Sequence, residues 1–148
     1  MSNLGYTANF GTGKGSLSTV QYIFLDSSRQ EIGVWSAATE IRTGSGIYCA
    51  TVEAPVNSYF IVWRTGDANE LFIVSSVHED SFVFNMGASK TGLSVGYTFA
   101  DSNFADIGSE ITTGIQEYLT TGIFVTINTN VPINAKYAIV RTIETTPT

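Results

Sequence analysis

His78 stands in the run Ser75-Ser76-Val77-His78-Glu79-Asp80-Ser81, where a base, two carboxylates and several hydroxyls lie side by side. A Ser-His-Asp relay needs members that converge from different segments, and neighbours on a strand or turn point apart. The run therefore reads as a solvated turn. The same geometry argues against a metal held by His78, Glu79 and Asp80, and no second cluster has zinc-like spacing. Gly11-Thr12-Gly13-Lys14-Gly15-Ser16 superficially resembles a phosphate loop, but that pattern needs Gly at position 8 and Ser or Thr at 15, where this chain has Ala8 and Gly15. A strand pattern follows it, with no helix N-terminus to hold a phosphate.

Acidic residues recur as Asp26 with Glu31 and as Asp101 with Asp106, without the Gly and bidentate Glu of an EF-hand loop, so turn formation explains them. Glu40, Glu53, Glu110 and Glu117 could supply a carboxylate pair for glycoside hydrolysis, yet nothing in the sequence positions any two of them. Arg64-Thr65-Gly66-Asp67 and Arg141-Thr142 end matching strands, where an Arg beside an acidic turn reads as a cap. Trp35 differs. It sits in the weakly patterned Gly33-Val34-Trp35-Ser36 and its counterpart later in the chain is Glu110, an asymmetry that makes it the best single candidate for an exposed contact. The expectation is a non-enzymatic protein with no cofactor and no metal.

Composition narrows the classes further. The chain has 148 residues, 43% apolar, enough for one ordinary domain or two small ones with a real core. Charged residues are only 14%, against roughly 25% in ordinary domains, so Ser, Thr, Asn and Gly must cover much of the surface, which suits packing against neighbours. A net charge of −6 with no basic cluster argues against nucleic acid and against an anionic membrane surface. The single cysteine, Cys49, cannot form an internal disulfide and lies in an apolar run, so a small core residue is expected. The start, Met1 to Tyr6, lacks the charged and apolar regions of a signal peptide, and no apolar run approaches the ~20 residues of a membrane span. Synthesis in a cytoplasm and a soluble product are expected.

The elements that would carry these residues read as strands. Leu17 to Leu25, Ile47 to Glu53, Tyr59 to Arg64, Leu71 to Val77, Leu93 to Phe99, Ile123 to Ile127 and Tyr137 to Thr142 are rich in β-branched and aromatic residues. Val20-Tyr22-Phe24 and Val95-Tyr97-Phe99 have the period of a strand with one buried face. Asp26-Ser27-Ser28 and Asp101-Ser102-Asn103 read as Asx turns. Ser109 to Leu119 is the best helical candidate, but Thr112, Thr113 and Gly114 interrupt it and it reads as strand.

These segments repeat. At a spacing of 76, Asn9, Gly11, Lys14, Leu17 and Ser18 meet Asn85, Gly87, Lys90, Leu93 and Ser94. At 75, Val20, Tyr22, Phe24, Asp26, Ile32 and Gly33 meet Val95, Tyr97, Phe99, Asp101, Ile107 and Gly108. At 77, Pro55, Val56, Asn57, Phe60, Val62 and Arg64 meet Pro132, Ile133, Asn134, Tyr137, Ile139 and Arg141. A duplicated unit follows, and with it an all-β fold of two tandem Ig-like antiparallel sandwiches. One pseudo-symmetric sandwich or barrel is the alternative. The expected divisions are an arm at 1–10, a first repeat with bridging strands at 11–84 and a second repeat at 85–148. Leu71 to Asn85, without a counterpart after the second repeat, is either the bridge or an added edge.

Leu93-Ser-Val-Gly-Tyr-Thr-Phe-Ala-Asp-Ser, Ile107-Gly, Thr121-Gly-Ile-Phe and Asn130-Val-Pro before an aromatic-apolar strand resemble small β-sandwich modules of tailed-bacteriophage virion proteins. In those modules a Thr- and Gly-rich stretch leads to Gly-Ile-Tyr, and a Pro turn precedes a strand often ending in Trp-Asp-Thr-Gly. Gly46-Ile47-Tyr48 and Val62-Trp63-Arg64-Thr65-Gly66-Asp67 are similar, with Arg64 in the acidic position, and Val140-Arg141-Thr142-Ile143 departs further. The resemblance covers most of residues 11 to 67 and 87 to 143. It implies a structural virion protein of the capsid-decoration, head-fibre or head-tail accessory kind, made in the host cytoplasm. Its expected partners are capsid or tail-connector subunits and further copies of itself, in a homo-oligomer on the particle, with Leu4, Tyr6, Phe10, Trp35 and Arg64 as candidate contacts. A receptor- or carbohydrate-binding module at a fibre tip, taking a host surface glycan, is the alternative. An extracellular adhesin fragment would need a secretion signal.

Overall fold

The computed structural model describes residues 5–143. The protein is all-β, and every pairing between its strands is antiparallel. It divides into two compact units, with the boundary after Glu79. Among the described residues no helix is long and apolar enough to cross a membrane.

The first unit contains β1 (Tyr6–Asn9), β2 (Gln21–Leu25), β3 (Glu31–Ala37), β4 (Thr39–Glu40), β5 (Ile47–Ala50), β6 (Phe60–Arg64) and β7 (Phe72–Ser76). One sheet runs β1-β5-β4 and the other β3-β2-β6-β7. Ala8, Tyr48 and Ala50 from the first sheet and Tyr22, Phe24, Ile61 and Trp63 from the second share one buried cluster, a sandwich-like core. Aromatic rings dominate it: Tyr6 meets Phe24 edge-on at 5.7 Å and Tyr22 meets Trp63 at 5.5 Å.

The second unit contains β8 (Ser81–Asn85), β9 (Ser94–Ala100), β10 (Asp106–Ile111), β11 (Ile115–Glu117), β12 (Ile123–Ile127) and β13 (Tyr137–Ile143). Its sheets run β8-β12-β11 and β10-β9-β13. Phe84, Val95, Tyr97, Phe99 and Phe124 form its core, and Phe82 meets Phe99 edge-on at 6.0 Å.

Apart from the β6–β7 pairing, which has no counterpart among the described residues of the second unit, the strand pairing inside each unit corresponds, register included. Asn9 faces Ile47 as Asn85 faces Ile123, Gln21 faces Arg64 as Gly96 faces Arg141, and Leu25 faces Glu31 as Ala100 faces Asp106. Val20-Tyr22-Phe24 and Val95-Tyr97-Phe99 thus run into equivalent strands. Their burial is more complete than one-sided alternation implies. Ile23 and Leu25, on the other face of β2, are as buried as Tyr22 and Phe24, because Gln21 to Leu25 is an unbroken apolar run after its first residue.

Three sequence expectations change. Tyr6 to Asn9 of the expected arm is a strand of the first unit, paired with β5, because Tyr6, Ala8 and Phe10 find their apolar partners in that core. The expected repeat boundary after residue 84 lies instead after Glu79: β7 is an added edge strand of the first unit, and β8 opens the second as β1 opens the first. Cys49 is only half-buried, since strand alternation turns its neighbours Tyr48 and Ala50 inward.

Candidate functional site

Two carboxylates hold corresponding places in the two units. The amides of Ser16 and Gly46 donate to the Glu40 carboxylate at 3.1 and 2.9 Å. The amides of Gly92 and Gly122 donate to Glu117 at 2.9 and 2.7 Å, joined by the Thr91 hydroxyl at 2.7 Å. Each carboxylate ties the loop after the first strand to the turn before the Gly-Ile strand. Backbone hydrogen bonds hold Glu40 below its ordinary 4.5, the Gly46 amide contributing most. At Glu117 burial pushes the carboxyl up, and the bonds from Thr91, Gly92 and Gly122 outweigh it and leave it lowered. These residues were candidates for a hydrolytic pair. Each instead serves its own unit as a backbone clamp.

Gly46 and Gly122 complete the clamps. Both have φ of +75°, and a Cβ on either would run into the carbonyl oxygen of Gly11 or Gly87. Lys14, the lysine of the phosphate-loop-like stretch, donates to Asp67 at 2.7 Å and to the Asn69 carbonyl at 2.8 Å. The Lys14 hydrogen bond, followed by one from Thr65, lowers the Asp67 carboxyl. Asp26 accepts from the amides of Ser28 and Gln30, and Asp101 from those of Asn103 and Ala105, the expected Asx turns. His78 stacks on Tyr59 at 4.0 Å. Among the described residues no group of three or more His, Cys, Asp or Glu could hold a metal ion.

Trp35 and Arg64, separate candidates in the sequence, are brought together. The Arg64 guanidinium lies 3.9 Å over the Trp35 ring and donates to the Gln21 side-chain oxygen through Nε at 3.1 Å and Nη2 at 2.7 Å. β3 carries Trp35, and β2 and β6, in register, bring Gln21 beside Arg64. Arg64 and Gln21 also line an open groove of about 430 Å³, with Ser18, Thr19, Gly66 and Glu70. In the second unit Glu110 replaces Trp35 and forks onto Arg141 at 2.6 and 2.8 Å, raising the Arg141 guanidinium above its usual value. Gly96 replaces Gln21 there, and a Cβ at Gly96 would come within 2.9 Å of the Glu110 carboxyl carbon.

Tyr6 and Phe10 pack against the first unit's core, Phe10 meeting Tyr48 at 6.3 Å. Leu4 lies outside the described residues. The prominent exposed apolar side chains are others, which sequence reasoning missed: Val34 beside Trp35, and Val56 and Ile133, 87% and 102% exposed at matching Pro-x-Asn turns. Their 77-residue spacing was visible, but not that both point outward. Compared with protein families, curated proteins and solved structures, the chain matches none.

Proposed function

We propose that this chain is a non-enzymatic structural subunit of a bacteriophage particle, a capsid-decoration, head-fibre or head-tail accessory protein with Ig-like units, acting by protein–protein assembly. One observation carries the reading. Val56 and Ile133 put an exposed β-branched apolar side chain at the same turn of both units. Apolar projections that recur within one chain suit repeated contacts with a multi-subunit surface. The low-charge surface supports it, and so does the engagement of Glu40, Glu117 and Glu110 in backbone clamps and an ion pair. Co-sedimentation of the purified chain with particles tests it. Binding that falls at least tenfold in a Val56→Asp, Ile133→Asp double variant with unchanged melting supports the reading; a chain that never sediments with particles contradicts it.

The groove lined by Arg64 favours a second reading, a carbohydrate-binding module at a fibre tip, since the guanidinium of Arg64, the amide of Gln21 and the carboxylate of Glu70 line it together. Specific glycan-array binding abolished by Arg64→Ala would select it over the first.

A further inference from the structure

We propose that β13 is an open pairing edge and that its occupant is the β13 strand of a second copy of this chain, added antiparallel. The first unit supplies the template. There β6 lies between β2 and β7, with Phe60 facing Ser76, Val62 facing Val74 and Arg64 facing Phe72. β13 corresponds to β6 residue by residue against its inner neighbour β9, yet among the described residues no strand pairs with its outer side. Phe60 and Val62 are fully buried, whereas their counterparts Tyr137 and Ile139 are 46% and 47% exposed.

Of the other edges among the described residues, β1, β7 and β8 are shorter than β13, at four or five residues, and the remaining four are blunted. β3 and β10 carry register shifts beside Gly33 and Gly108, whose φ values are +78° and +75°. β4 and β11 are two and three residues long. β13 runs seven residues in unbroken register, without Pro or Lys, and its one charge, Arg141, is already held by Glu110. Such an edge is a template for another strand, since nothing in it repels or twists away a partner.

The strand is compatible with itself. With Val140 opposite its own copy, Tyr137 faces Ile143 and Ile139 faces Arg141, so the exposed faces coincide and the two arginines are not directly opposed. A two-fold pairing uses the open edge once on each partner. The proposal rests on the assembly reading and adds its surface and partner.

Sedimentation velocity of the full chain over a concentration series up to about 1 mM tests it. Expected are a reversible dimer for the wild type and monomer for Ile139→Lys at the same concentrations, with the wild-type melting temperature retained. Tyr137→Lys, on the same exposed face, gives an independent reading should the first variant misfold. A wild-type chain that stays monomeric overturns the edge pairing while leaving particle binding to judge the assembly reading. A dimer that survives both substitutions also overturns it, because the contact then lies elsewhere. Loss of the dimer in both variants supports it whether or not the protein sediments with particles.

Discussion

The Arg64 guanidinium lies 3.9 Å over the Trp35 ring, and at the corresponding place in the second unit Arg141 is forked onto Glu110. One strand frame thus holds two chemistries for positioning an arginine, and the third position adapts: Gln21 shares Arg64, while Gly96 clears space for Glu110.

That relationship predicts a coupling. Trp35→Ala should cost about 0.5–1 kcal/mol from the lost stacking, besides the packing of the ring. Trp35→Glu should be tolerated poorly alone and better together with Gln21→Gly, which recreates the second unit's arrangement. A double-mutant cycle on thermal melts reads the sign; strict additivity would show that Gln21 does not crowd the introduced carboxylate.

Gly46→Ala and Gly122→Ala should each destabilise their own unit by more than about 1 kcal/mol, because both the positive φ and the facing carbonyl resist a Cβ. Gly11→Ala and Gly87→Ala meet open space and should cost less, through φ alone. Denaturant midpoints check the order, and equal losses at all four sites would contradict it.

Phe99→Ala should cost ~3–5 kcal/mol, since its ring is buried and packs edge-on against Tyr97 at 5.5 Å and Phe82 at 6.0 Å. Calorimetry should show the loss; melting within a few degrees of wild type would mean that β9 does not present this face to the core.

Acid should loosen the clamps. The carboxyls of Glu40 and Glu117 are lowered in the folded state, so their stabilisation is present above the ordinary 4.5 and is lost as pH falls through the folded values. Stability should drop between about pH 5 and pH 3, and the drop should be shallower in a Glu40→Gln, Glu117→Gln double variant. Identical acid slopes in the two proteins would remove the clamps from the account.

The repeat made the strand frame legible. β2, β6, β9 and β13 lie in runs whose aromatic and β-branched residues recur at fixed spacing, and the Asx turns at Asp26 and Asp101 follow from local side-chain chemistry alone. β3 was hidden because Gly33 breaks its alternation, and β4 because two residues carry no period; Ser109 to Leu119, read as one strand, holds the end of β10 and all of β11 with a bend at Gly114 between them. Their existence depends on the strands beside them. Glu40 and Glu117 looked unpositioned because a carboxylate that clamps backbone amides leaves no motif; their shared 77-residue spacing was the available signal. Trp35 stood out in the sequence through its mismatch with Glu110, but its arginine could be paired to it only once β2 and β6 were in register.

The most direct test of the assembly reading, which would make this a phage-encoded chain, is a density map of phage particles assembled in its presence. The account predicts two all-β units per copy at repeated, symmetry-related positions on the particle surface, fitting the strand order described here. Particles whose map and composition lack the chain altogether would contradict it.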